Sequence, residues 1–156
     1  MSAYVHFGGQ YAPGRFDPVR NRAFSNKPFG GLWASPEGSP FGWREWNKKT
    51  GLRKCDEKDS FRFTLSSDAR VFRVWSAEDA ERMPGRTDFE DEHGMRVTYP
   101  ILPDFEVMAN DYDAIDFRIS KDGRLYRMLY TWDCDSILVL NKDVIRVLKG
   151  GQNGKR

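Results

Sequence analysis

A chain of 156 residues with 39% hydrophobic content is long enough for one domain with a real core, and no apolar run reaches the ~20 residues of a membrane span. The 25 basic and 23 acidic residues leave a net charge of +2, yet residues 1–58 hold ten Lys and Arg against five Asp and Glu. That skew fits either an anionic partner for the N-terminal part or a plainly solvated surface. The opening residues MSAYVHFGGQ lack the basic flank and apolar stretch of a secretory signal, so a cytoplasmic protein with Cys55 and Cys134 reduced is expected. His6 and His93 are the other soft metal ligands, and no pair among these four residues has zinc-ligand spacing.

In chain order, AYVHFG carries strand formers at Tyr4, Val5 and Phe7 and stops at Gly8-Gly9, which predicts a first strand. Residues 10–30 are polar and punctuated by Gly and Pro, a long loop with room for one helical turn. GLWAS, residues 31–35, reads as a short strand. SPFGWREWNKKTG reads as a helix opened by Ser39 with Pro40 in its first turn, closed by Gly51, with Arg44, Lys48 and Lys49 facing outward. SFRFTL and ARVFRVW both alternate, and Ser66-Ser67-Asp68 between them predicts a hairpin.

SAEDAERM opens with a Ser-x-x-Asp cap at Ser76 and is stopped by Pro84, and residues 85–98 are charged and uncommitted. PDFEVMANDY predicts a helix started by Pro103, with Asp113 capping the turn that leads into the strand DAIDFRI. Asp122-Gly123 reads as a turn, LYRMLYTWD fits helix and strand equally, and DSILVLN and DVIRVL are the last β segments. Residues 150–156 form a flexible basic tail after a single domain over 1–149. Six or seven strands and three short helices without β-α-β alternation place the chain in the α+β class.

The sequence contains no Gly-x-Ser-x-Gly elbow, no dinucleotide fingerprint after a strand and no phosphate loop. Three features stand out instead: a histidine in the first strand, VHFGG with His6, Phe7 and Gly8; an aromatic residue at the end of the second, GGLWAS with Gly31 and Trp33; and an acid before a late apolar strand, DSILVLN with Asp135. In this order they resemble the ADP-ribosyltransferase superfamily, in its His-Tyr-Glu branch, which includes the poly(ADP-ribose) polymerases and small bacterial and phage effectors. Trp33 stands where that branch has Tyr, and Asp135 where it has Glu.

The resemblance implies a compact split β-sheet core with short peripheral helices. It implies a mono-ADP-ribosyltransferase of the phage-effector or toxin type, taking NAD and modifying a macromolecule, a host protein before a nucleic acid. Asp135, with Asp133 two residues earlier on the same face, would meet the positive charge that builds on the ribose as nicotinamide leaves. An anion ~4 Å away at an effective dielectric of ~20 is worth ~4 kcal/mol, about a thousandfold in rate. His6, Phe7 and Gly8 would hold a ribose, the imidazole donating one N–H while its other nitrogen is fixed by backbone. Trp33 would floor the nicotinamide and Trp43 or Trp46 would wall it, which accounts for three of the five tryptophans falling within residues 27–46. Gly30 and Gly31 would let the dinucleotide approach the backbone, and Ser35 and Ser39 would bind the carboxamide or cap the helix.

Each residue also has an ordinary structural role open to it. A binding or inhibitor protein using the Trp-rich loop, and a single-stranded nucleic-acid binder using exposed aromatics, are the competing functional classes.

Overall fold

The computed structural model describes residues 2–23, 25–86 and 101–149. The uncommitted stretch from residue 87 onward, with His93, and the tail 150–156 lie outside the described residues. Among the described residues seven strands form where β-branched and aromatic residues cluster: β1 (Tyr4–Phe7), β2 (Leu32–Pro36), β3 (Ser60–Leu65), β4 (Val71–Val74), β5 (Ala114–Phe117), β6 (Ser136–Val139) and β7 (Ile145–Val147). They make a mixed sheet in the order β4-β5-β6-β2-β1-β3-β7, antiparallel throughout except for the β4–β5 pair.

Four short α-helices accompany the sheet among the described residues: α1 (Trp43–Thr50), α2 (Ala77–Glu81), α3 (Phe105–Asp111) and α4 (Gly123–Met128). None is long and apolar enough to cross a membrane. Ser76 caps α2 by accepting the Asp79 N–H at 3.1 Å, as expected, whereas α3 starts at Phe105 with Asp104 as its cap, two residues after the expected start at Pro103. Gly51 ends α1 in the left-handed region at φ 69°, as its position predicts.

Three expectations are corrected. The hairpin between residues 60–65 and 69–75 does not form: β3 has both edges occupied, by β1 and β7, while β4 pairs with β5 at the far end of the sheet. The turn after β3 does close, Ala69 N–H to Ser66 O at 3.0 Å, but Arg70 and Asp113 then exchange backbone and side-chain bonds that bring β4 alongside β5. Helix α1 begins at Trp43 rather than at Ser39, because Ser39 to Gly42 form a turn and the Trp43 N–H is capped by the Ser35 hydroxyl at 2.8 Å. Asp122-Gly123 is no hairpin turn; Asp122 caps α4, and so draws the ambiguous segment into a helix up to Met128.

Strand alternation divides the core. Ile115, Phe117 and Leu138 join Phe105, Met108, Leu125 and Trp132 on one face, while Ala114, Ile137 and Val139 join Tyr4, Phe61 and Phe63 on the other. Each large side chain so buried contributes about 1.5–3 kcal/mol.

The β1–β2 contact positions the candidate site. The two strands share only the pairs Tyr4↔Pro36 and Val5↔Ser35, whereas β1 pairs β3 over all four residues and β2 pairs β6 through Leu32, Trp33 and Ala34. Beyond Val5 the strands part, and the sheet opens between them.

Candidate functional site

A cleft of about 310 Å³ lies at this opening, near the lower bound of volumes usual for small-molecule sites. β1 contributes His6 and Phe7, β2 contributes Trp33 and Ser35, and α1 contributes Trp43. The chain entering β6 adds Trp132, Asp133, Cys134 and Ser136, and two cations, Lys27 and Arg53, complete the lining. Six of the twelve residues singled out from sequence therefore meet in one place: His6, Phe7, Trp33, Ser35, Trp43 and Asp133.

His6 bridges the gap where the backbone ladder lapses, its Nδ1 lying 2.6 Å from the Trp33 carbonyl oxygen. A carbonyl oxygen only accepts, so Nδ1 carries the proton, and Nε2 of the neutral ring is an acceptor. The expected direction is thereby reversed: Nε2 is left able to accept a hydrogen bond but not to give one. The ring also rests on Phe61 at 5.2 Å between centroids.

Trp33 has two duties. It packs on the buried Trp132 at 4.7 Å and also faces the cleft. Trp43 stacks on Trp46 at 5.3 Å with 17° between planes, so Trp46 backs the wall from outside the cleft. The Ser35 hydroxyl is buried and engaged by the Trp43 N–H, and the Ser39 hydroxyl accepts the Phe41 N–H, so both serines serve the main chain.

The two acids separate. Asp133 lines the cleft, half-buried, and has no hydrogen bond or ion pair among the described residues. Asp135 is 3% exposed and is not part of the cleft lining. Its carboxylate accepts the Ser120 N–H at 2.9 Å, the Ser120 hydroxyl at 2.6 Å and the Ser39 hydroxyl at 3.4 Å, while its own N–H donates to Phe41 O. Period-two reasoning put both acids on one face, but the strand begins only at Ser136, so alternation does not extend back to Asp133.

Gly8 and Gly31 also lie outside the cleft lining. Gly8, at φ 108°, turns the chain out of β1 and donates to Asp59 O at 2.8 Å. A Cβ at Gly31 would stand 2.7 Å from Leu138 Cδ1, and one at Gly30 would stand 2.3 Å from Pro18 O. The protein's own packing requires these two glycines, not a ligand's approach.

The side chains of Lys27 and Arg53, like that of Asp133, have no hydrogen bond or ion pair among the described residues, in contrast to the paired charges Arg70–Asp113, Arg118–Asp116 and Arg124–Asp122. Two unpaired cations and one unpaired carboxylate leave the cleft suited to a ligand with net negative charge and a cationic centre. Burial raises the pKa of the Cys134 thiol, outweighing the Ser136 hydrogen bond, so it is a poor nucleophile. Among the described residues no cluster of His, Cys, Asp or Glu is arranged to hold a metal ion.

Arg53 and Trp132 were not legible as site residues. Arg53 follows α1 in a stretch without periodicity, and Trp132 lies in the segment whose pattern fitted helix and strand equally. Comparison with models of known protein families, with curated proteins and with solved structures finds no significant match for this chain.

Proposed function

We propose that the cleft binds NAD and that the protein is a mono-ADP-ribosyltransferase, with Asp133 as the carboxylate that faces the reacting ribose. The observation carrying this reading is the convergence of His6, Trp33, Trp43 and an unpaired Asp133 at the opening between β1 and β2. Trp33 and Trp43 offer the nicotinamide two aromatic walls. His6 Nε2 accepts from a ribose hydroxyl, and Lys27 and Arg53 meet the pyrophosphate. In the reaction the C1′–N bond breaks, its electron pair stays on the nicotinamide nitrogen, and the acceptor's nucleophile forms the new bond at C1′ while its proton passes to Asp133 or solvent. Asp133 stabilises the cationic ribose between these events.

Asp135 keeps a supporting part: its bonds to Ser120 and Ser39 hold the residues beside Asp133 and Cys134. The acceptor is a macromolecule, for which the exposed Arg15, Arg20 and Arg22 offer basic charge. The test is nicotinamide release from NAD by the pure protein, expected to fall at least a hundredfold in Asp133→Asn. Release no faster than in buffer alone would overturn the reading. NAD binding without release would favour a binding protein that uses the same aromatic cleft.

A further inference from the structure

Away from the cleft lining, three cations converge on one indole. Trp75, half-buried just after β4, has Lys121 Nζ 4.6 Å, Arg73 Cζ 4.9 Å and Arg118 Cζ 5.9 Å from its ring centroid. One carboxylate answers them. Asp116, 4% exposed on β5, accepts from Arg118 Nε at 2.8 Å and from Trp75 Nε1 at 3.3 Å. The neighbouring acids are committed elsewhere: Asp79 to the Trp75 N–H and Arg82, Asp122 to the Ala77 N–H and Arg124.

Arg73 and Lys121 therefore have no carboxylate partner among the described residues, and both side chains are exposed. Their distances to a shared centroid keep them within about 10 Å of each other, a Debye length at 0.1 M salt, so they repel unless an anion lies between them. Cation–π contact with Trp75 holds them in place but adds no negative charge.

We propose that the Trp75 patch is a docking site for the phosphodiester backbone of a nucleic acid. A row of phosphates suits two separated, unpaired cations. An isolated phosphate dianion on a peptide is better served by a bidentate guanidinium, and Arg118, the most buried of the three, is already bound to Asp116. The patch is linked to the cleft through hydrogen bonds: the loop that carries Arg118 and Lys121 carries Ser120, whose bonds to Asp135 fix the entry to β6. The proposal does not depend on NAD chemistry.

Binding is measured by fluorescence anisotropy with labelled single- and double-stranded oligonucleotides, without NAD, across a salt series. Affinity should fall steeply with salt. The double variant Arg73→Glu, Lys121→Glu should weaken binding at least tenfold, and Arg73→Gln or Lys121→Gln alone should each reduce the salt slope by roughly 0.7–0.9. Far-UV circular dichroism and a thermal melt verify that the exposed substitutions leave the fold intact; should the double reversal unfold, the glutamine variants decide alone. Lys142→Gln, an exposed cation just before β7, should leave affinity within about twofold. Absence of oligonucleotide binding, undiminished binding in these variants, or capture of acidic peptides in preference to oligonucleotides would each overturn the proposal.

Discussion

The imidazole of His6 and the carbonyl of Trp33 meet at 2.6 Å where β1 and β2 cease to exchange backbone bonds, so a side chain takes over from the ladder as the sheet opens. Replacing His6 with Phe keeps a ring against Phe61 but removes both the bridge and the Nε2 acceptor. A net hydrogen bond of about 1 kcal/mol should disappear from the urea-unfolding free energy. Nicotinamide release should fall about tenfold or more, the kinetic equivalent of one lost bond of about 1.4 kcal/mol. Unchanged turnover in a folded His6→Phe protein would remove His6 from the site.

Asp133 and Asp135 are two residues apart and should fail in opposite ways. Asp133→Asn removes an unpaired, half-buried charge, so stability should move by less than about 0.5 kcal/mol while nicotinamide release collapses. Asp135→Ala removes a buried carboxylate that accepts both the N–H and the hydroxyl of Ser120; Ser120 is exposed and water can replace the lost acceptor, so the cost should be about 1–3 kcal/mol. Denaturant midpoints and nicotinamide release on both variants separate the roles. If Asp135→Ala is fully stable and Asp133→Asn fully active, the assignment is reversed.

These two acids mark where sequence reasoning stops. Local signals carried well: strand formers at Tyr4–Phe7, the Ser76 cap, Gly51 at the end of α1 and the apolar run of β6 all lie where their chemistry puts them. What failed depended on partners distant in the chain. Whether β3 pairs with β4 or with β7 is decided by which edges are vacant, and alternation within a strand says nothing of that. Gly31 looked like room for a ligand because Leu138, over a hundred residues later, cannot be seen beside it. The facing of Asp133 turned on where β6 begins, a boundary that the run CDSILVL leaves open by two residues.

The Arg70–Asp113 clamp predicts an acid limb of stability. Burial by itself would raise the Asp113 carboxyl, but hydrogen bonds from the Arg70 side chain and main chain and from Asn141 hold it below the usual carboxylate range. A depressed folded pKa contributes stability that is fully present above the unfolded value near 3.9 and is lost as pH falls through the folded value. Because Arg70 is largely exposed, solvent screens much of this contribution. Asp113→Asn should therefore be less stable than the parent at pH 6, and the difference should shrink as pH falls below the usual carboxylate range. Parallel stability curves over that range would show that this carboxylate is not the titrating group.

Three glycines with similar backbones and different surroundings provide the sharpest packing test. Gly30, Gly31 and Gly38 all sit at φ between 70° and 77°, so alanine pays the same left-handed penalty, about 1–2 kcal/mol, at each. At Gly38 a Cβ meets nothing within 4 Å, and that penalty should be the whole effect. At Gly30 the nearest atoms are backbone of Asp17 and Pro18, which cannot move without displacing the loop, so a further 1–3 kcal/mol of overpacking is expected. Gly31 should fall between, because its closest neighbour is the Leu138 side chain, which has rotamers to use. Thermal melts of the three alanine variants should rank Gly38 above Gly31 above Gly30. Equal losses at all three would mean that backbone conformation alone, without the loop's close approach, sets the requirement for glycine.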